Sequence, residues 1–250
     1  MMKQIILITD GCSNEGSSPV AAAALAQQEG IVVNVIGIVE GAQHGERGLD
    51  EIAEIARAGG GMSRIVTTAT LSQTVQMMTR KTVVQTMHQV VNQELRAILG
   101  RGELEDLPPA KRGEVVRVID EWSENASLRV ALLIDTSASM KDKLRAVEEA
   151  CQDLLLSLQA RQGLSEVAVF HFPGHQEADL LADWTRDLAK MKQMFYNLNI
   201  KGTTPTGPAI RAVIRHFAAS ASNERERREP SRTPQLRSDQ KDGIWSDYVV

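Results

Sequence analysis

Two short apolar segments of this chain, residues 5–8 and 130–134, each lead into an aspartate. Apolar runs of this length that are rich in Ile, Val and Leu and end at turn residues are typical of buried strands. Helix-prone stretches separate them from further runs of the same kind, which are residues 31–39 and 166–172. Because strands that alternate with helices usually pair in parallel, the sequence predicts an α/β fold, a doubly wound, mostly parallel sheet flanked by helices.

The same pattern predicts how the chain is divided. Helical spacing is present in residues 49–58, 70–99, 114–122, 144–159, 188–198 and 210–219. Residues 100–127 contain two prolines and clustered charge, which predicts a connector between residues 3–99 and 128–219 of a single domain, residues 1–219. Residues 220–250 are polar and mixed in charge, which is typical of a disordered tail.

Composition excludes several classes of protein. The net charge of −4 gives no basic stripe for nucleic acid, so we expect no nucleic-acid binding. No apolar run is long enough to cross a membrane, and the segment after Lys3 lacks the features of a secretory signal peptide. The two cysteines, Cys12 and Cys151, make no disulfide framework. We therefore expect a soluble, cytoplasmic protein.

The most specific chemical pattern follows the strand at residues 130–134. Asp135, Ser137 and Ser139 alternate along the turn, and a strand places such residues at its carboxyl end, where open α/β sheets build their sites. One carboxylate and two hydroxyls form an oxygen donor set that suits Mg²⁺ or Mn²⁺. The alternative is structural, because Ser137 or Ser139 would also cap the helix that is predicted to follow.

Two further segments carry matching donors. Residues 202–207, with the sequence GTTPTG, precede a predicted helix and contribute Thr204, and the strand at residues 5–8 is followed by Asp10. Together with Asp135, Ser137 and Ser139, these residues resemble the metal-ion-dependent adhesion site of von Willebrand factor A-type domains. In that family the serines and the threonine contact the metal, while one or both aspartates act through water. Thr203 stands where the family has a second glycine, so Thr203 remains an alternative to Thr204 as the ligand.

The resemblance extends along residues 3–99 and 128–219, but in reversed order. IILITDG is similar to the family's fourth strand and IVVNVIGIV to its fifth, and both precede the Asp-x-Ser-x-Ser strand that opens an ordinary domain of the family. A circular permutation within one chain explains this order. The alternative is a pair of half-domains that complete each other's sites by swapping between two molecules.

The resemblance implies a metal-dependent protein-binding module that is not an enzyme. A partner protein would present an Asp or Glu carboxylate to the metal, and bacterial cytoplasmic members of the family suggest an ATPase or a kinase as that partner. A metal-assisted hydrolase or phosphatase is the alternative from another class, although no catalytic residue is evident. A metal-free scaffold is the third hypothesis.

Overall fold

The structure is a computed structural model, and it describes residues 1–40, 46–99, 104, 107–191, 194 and 202–228. The chain divides into two compact units, Met1–His216 and Phe217–Val250. The first unit contains the whole sheet. Of the second unit, only the continuation of a helix as far as Arg228 lies within the described residues.

The described strands form one six-stranded sheet in the order β3-β2-β1-β4-β5-β6. The strands are β1 (Met2–Thr9), β2 (Ile31–Ile38), β3 (Gly60–Val66), β4 (Leu128–Asp135), β5 (Ser165–Phe172) and β6 (Asp179–Thr185). All neighbouring pairs are parallel except β5 and β6. The α/β fold class predicted from the sequence, with a mostly parallel sheet, is therefore confirmed.

Helices connect the strands. They are α1 (Pro19–Gln28), α2 (Glu46–Ala58), α3 (Leu71–Leu99), α4 (Pro109–Asn125), α5 (Leu144–Gln159) and α6 (Thr206–Arg228). Helix α1 begins with Pro19 after Ser18, whose hydroxyl accepts a hydrogen bond from the N–H of Ala21. This arrangement satisfies a free amide of the first turn and explains where the helix starts. No helix of the described residues is long and apolar enough to cross a membrane.

The core lies on both faces of the sheet, as the continuous apolar strands require. All eight residues of β4 are buried. On one face, Leu132 and Ile134 belong to a hydrophobic cluster with Val75 of α3 and Leu155 of α5. Helices α1 and α2 pack against each other and against β2, and α1 is small enough for this because its buried residues are alanines.

The two halves of the sequence meet in the middle of the sheet. Strand β1 pairs in parallel with β4, from Met2 opposite Leu128 to Ile8 opposite Ile134. One chain therefore completes the sheet, as the permuted order predicts.

Several boundaries differ from the sequence-based expectation. Helix α4 begins at Pro109 and lies within the predicted connector, because proline is well accommodated in the first turn of a helix, where its missing N–H costs nothing. Helix α6 continues to Arg228, so residues 220–228 of the predicted disordered tail are helical. The prediction for residues 229–250 lies outside the described part of the chain.

Two strands and part of one helix also depart from the expectation. Strand β3 was not predicted, because it begins with two glycines and lacks the alternation that marks a strand. Strand β6 is short and half exposed, so its pattern is equally weak. Of the predicted helix at residues 188–198, Leu188–Met191 form a 3-10 helix, and residues 192–193 and 195–198 are not among those described.

Candidate metal centre

The predicted site residues lie at the carboxyl ends of β1 and β4, the two central strands. From these strands the chain continues toward opposite edges of the sheet, to β2 on one side and to β5 on the other. Such a reversal of strand order leaves a crevice outside the strand ends, where open α/β sheets bind ligands. The parallel register that ends at Ile8 and Ile134 brings Thr9 level with Asp135 and Asp10 just beyond it.

Asp135 is the most enclosed member of the group. Its side chain is fully buried, and its two oxygens accept hydrogen bonds from the N–H of Ser137 at 2.8 Å and from the hydroxyl of Thr9 at 2.7 Å. Burial raises the pKa of Asp135, against the lowering influence of these hydrogen bonds, and the nearby charge of Asp10 raises the pKa further. The site therefore holds a carboxylate whose charge is only partly compensated by neutral donors.

A chain of polar contacts links the two halves of the sequence. The hydroxyl oxygens of Ser137 and Ser139 are 3.2 Å apart, and the Ser139 hydroxyl donates a hydrogen bond to Oδ1 of Asp10 at 2.8 Å. Ser137 precedes a 3-10 helix over Ala138–Lys143, but its side chain makes no capping hydrogen bond. The hydroxyl of Ser137 is thus directed toward Ser139 instead of serving as a helix cap.

Lys143 supplies a positive charge to this chain of contacts. Its ammonium forms an ion pair with Oδ2 of Asp10 and donates a hydrogen bond to the carbonyl oxygen of Ser139 at 3.2 Å. Both side chains are enclosed, with 10% of Lys143 and 2% of Asp10 exposed. Lys143 was not among the residues predicted from the sequence, because it lies 133 positions from Asp10 and no local pattern indicates their pairing.

The Thr204 loop is the third segment that carries a predicted ligand. Thr204 is buried, whereas Thr203 is exposed. The N–H of Thr204 donates to the side-chain oxygen of Asn14 at 2.8 Å, and its carbonyl accepts from the hydroxyl of Ser13 at 3.2 Å. Ser13 and Asn14 lie three and four residues after Asp10, so the Thr204 loop packs against the segment that follows Asp10. Neither Ser13 nor Asn14 was predicted as a site residue, because their contacts with Thr204 join segments 191 and 190 positions apart.

Two glycines allow this close approach. A Cβ atom on Gly207 would overlap the carbonyl oxygen of Ser17, and a Cβ atom on Gly16 would lie 2.5 Å from a ring carbon of Pro208. Gly16 also has a φ of +85°, which other residues rarely adopt. The start of α6 therefore packs directly on the loop between β1 and α1.

A second polar group lies beside the first, at the end of β5. Nδ1 of His171 is 3.2 Å from the hydroxyl of Thr136, which also donates to the carbonyl oxygen of Phe172 at 3.1 Å. On its other side, Nε2 of His171 is 3.8 Å from a carboxylate oxygen of Asp179. Because Thr136 is fully buried, its hydroxyl is not accessible as a nucleophile in this order of hydroxyl, imidazole and carboxylate.

The donors suit a hard divalent cation. Within the part of the chain that the structure describes, no group of three or more His, Cys, Asp or Glu side chains could hold a metal ion. The candidate site instead combines two carboxylates with serine and threonine hydroxyls, and oxygen donors of this kind are the ligands that Mg²⁺ and Mn²⁺ prefer. Ser139 is exposed, so the group opens to solvent at that residue.

Comparisons with known proteins agree with the divided arrangement. Two family models, both described as a von Willebrand factor type A domain, match residues 130–232 and residues 1–81. The chain is 50% identical over 218 residues to the uncharacterised protein YabS of Bacillus subtilis (strain 168), which covers 86% of this chain and 89% of YabS.

One solved structure matches most of the chain. The crystal structure of an uncharacterised protein from Alicyclobacillus acidocaldarius superimposes with a TM-score of 0.81 and 46% identity, covering 89% of this chain and 96% of that one. Proximal thread matrix protein 1 from the mussel byssus, solved with a zinc-occupied MIDAS motif, has a TM-score of only 0.25 and is too distant to bear on this site. The two family matches, the relative at 50% identity and the sheet order show that this chain belongs to the von Willebrand factor type A family, with the two halves of the domain in permuted order.

Proposed function

We propose that this protein is a metal-dependent protein-binding module, which captures a carboxylate of its partner through Mg²⁺ or Mn²⁺. The observation that carries the proposal is the hydrogen bond between Ser139 and Asp10, which joins two segments 129 positions apart at the crevice between the central strands. Ser137 continues this contact, because its hydroxyl lies 3.2 Å from that of Ser139 and its backbone N–H donates to Asp135. These residues come from the strand ends where the fold builds its ligand sites.

The hydroxyls of Ser137, Ser139 and Thr204 would hold the cation, and Asp135 and Asp10 would balance its charge directly or through water. When bound, such a cation supplies an open coordination position that a partner's Asp or Glu carboxylate can fill. The chain's own contribution is to hold the donors in place. The N–H of Ser137 and the hydroxyl of Thr9 orient Asp135, and the side chain of Asn14 holds the Thr204 backbone.

Burial argues against the alternative of a metal-assisted hydrolase. Such an enzyme would need an accessible nucleophile or general base beside the metal. Asp135 is fully buried with both oxygens hydrogen-bonded, and Thr136 is also fully buried. A binding role, by contrast, requires only that one carboxylate of the partner reach the metal from the solvent side, where Ser139 is exposed. The partner we propose is an intracellular protein that presents an Asp or Glu, in the class of ATPases or kinases.

Metal binding is tested first with Mn²⁺, whose electron paramagnetic resonance signal changes when the ion is bound. We expect a monomeric fraction of the wild type to bind Mn²⁺, and Ser137→Ala to weaken binding at least about tenfold through loss of a ligand. Ser157→Ala is the matched control, because Ser157 is an exposed serine of α5 that is not part of the site. Equal binding by Ser137→Ala and the control would remove Ser137 from the site.

Partner capture is tested by immobilising the full chain and comparing Mg²⁺ with EDTA. The proposal expects a specific protein to be retained in Mg²⁺, released by EDTA, lost with Ser137→Ala and kept with Ser157→Ala. Retention that ignores EDTA and both substitutions would instead indicate a metal-free scaffold.

A further inference from the structure

The buried ion pair between Lys143 and Asp10 lies inside the proposed metal site and therefore affects how a metal ion can bind there. The two oxygens of Asp10 are already engaged, Oδ1 by the hydroxyl of Ser139 and Oδ2 by the ammonium of Lys143. Lys143 also donates to the carbonyl oxygen of Ser139. A single ammonium therefore ties together two of the five predicted metal-site residues.

The local backbone explains how the ammonium reaches this position. Lys143 ends the 3-10 helix over Ala138–Lys143 and lies four residues after Ser139, so its side chain can return along the helix toward the strand ends. Met140 and Leu144, on either side of it, are buried in the hydrophobic cluster below. The lysine side chain is thus largely enclosed, with 10% of its surface exposed.

Charge decides what this arrangement means for a divalent cation. The group contains two carboxylates, Asp10 and Asp135, and one ammonium. A buried ion pair persists because separating its members would leave each one desolvated and uncompensated. A cation that uses the carboxylate of Asp10 must therefore compete with the ammonium already paired with it.

We infer that Lys143 is a resident cation, which holds the metal-free site assembled and exchanges with the divalent metal at Asp10. This inference rests on the metal site proposed above and assigns it a mode of regulation. Without metal, the ammonium of Lys143 keeps Ser139 and Asp10 in place. Because a metal ion must displace Lys143 from Asp10, the apparent affinity for metal is lowered by the cost of that displacement. Binding would then be reversible at moderate metal concentrations, because one cation replaces another.

The first test measures Mn²⁺ affinity for Lys143→Met, which keeps the length of the side chain but removes its charge. We expect the dissociation constant to fall at least about tenfold, since a competing unit charge within a few ångströms is removed. Lys141→Met is the matched control, because Lys141 is an exposed lysine of the same 3-10 helix and changes the net charge equally. The control should shift the dissociation constant by no more than about twofold, as expected for a screened surface charge.

The second test uses the wild-type protein, so that folding of a variant is not at issue. Amine acylation followed by mass spectrometry should show Lys143 protected in EDTA and at least about fivefold more reactive in saturating Mg²⁺, when it leaves its buried partner. Lys141 should react equally in both conditions.

The outcomes separate this inference from the proposed function. Tighter Mn²⁺ binding by Lys143→Met, or binding seen only in that variant, supports the exchange. Equal or weaker binding by Lys143→Met, with Lys143 still protected in Mg²⁺, overturns the exchange while the metal site stands. Absence of binding by the wild type and by a folded Lys143→Met overturns both.

Discussion

The ends of the two central strands carry aspartates in opposite electrostatic settings. Asp10, after β1, is paired with the ammonium of Lys143 and accepts a hydrogen bond from Ser139. Asp135, at the end of β4, is fully buried and accepts hydrogen bonds from neutral donors of Thr9 and Ser137 among the contacts described. The Asp10 side is thus balanced in charge without metal, whereas the Asp135 side is not, and burial raises the pKa of Asp135 accordingly.

This difference assigns separate tasks to the two strand ends. The Asp10 side maintains the assembly, because it binds Lys143, Ser139 and, through Asn14, the Thr204 loop. The Asp135 side supplies the unbalanced negative charge that attracts a cation. We therefore expect the stability of the metal-free protein to fall when Asp10 is changed and to rise when Asp135 is changed.

The largest effect is expected from Asp10→Asn. This substitution leaves the enclosed ammonium of Lys143 without a counter-charge, and removing one member of a buried ion pair destabilises a protein by about 3 kcal/mol. Denaturant unfolding in EDTA measures the loss, and Asp142→Asn, an exposed aspartate of the same 3-10 helix, is the control. Adding Lys143→Met should restore much of the stability. A loss below about 1 kcal/mol for Asp10→Asn would show that Lys143 finds water or another partner.

Gly207→Ala tests whether the Thr204 loop depends on the Asp10 side. Its Cβ would overlap the backbone of Ser17, so α6 must shift, at a cost of about 2 kcal/mol. Because the same contact positions Thr204 near Asn14, Mn²⁺ binding should weaken as well. Gly202→Ala is the control, since a Cβ at Gly202 meets no atom within 4 Å. Unchanged Mn²⁺ binding in a destabilised Gly207→Ala would remove Thr204 from the metal site.

Asp135→Asn should raise the stability of the metal-free protein, whereas the preceding substitutions lower it. The raised pKa means that the charged carboxylate lowers stability at neutral pH, and an amide of the same shape removes that cost. Its oxygen can accept from Ser137 N–H and its NH₂ can donate to Thr9, whose hydroxyl then donates to the carbonyl oxygen of Gly11. We expect a gain of about 1 kcal/mol in EDTA, with loss of Mn²⁺ binding. A destabilised variant would indicate that the Asp135 charge is balanced by a group other than metal.

The smallest effect concerns Asp179, an aspartate at the rim that is only partly buried. Burial alone would raise its pKa, but hydrogen bonds from the ring and the backbone N–H of His175 outweigh it, so the pKa is lowered. A lowered pKa contributes stability that is present above the usual value of 3.8 and is lost as pH falls through the folded-state value below it. His175→Ala should cost about 0.5 kcal/mol at neutral pH, because the His175 side chain is 94% exposed and screened, and the cost should vanish in strong acid. A pH-independent difference in thermal unfolding would exclude the contact between His175 and Asp179 as its cause.

Much of the site followed from local patterns. Asp135, Ser137 and Ser139 could be predicted because an apolar strand ends directly before them, and Thr204 because its loop precedes a helix. Their ligand roles remain predictions until metal binding is measured. The strands β3 and β6 were missed because edge strands are half exposed and lack the apolar run that marks β4.

By itself, the sequence determined the alternation of strands and helices and the chemical character of the strand ends, because both depend on residues that are neighbours in the chain. Only the tertiary structure decided that Lys143 neutralises Asp10 and that Asn14 holds Thr204, since these contacts join segments 133 and 190 positions apart. No periodicity records such a pairing, which arises from the parallel register of β1 with β4 and from the close packing of α6 on the loop after β1. The candidate donors were therefore named from local patterns and the resemblance to the family, whereas the pairing of Lys143 with one of them was decided by packing.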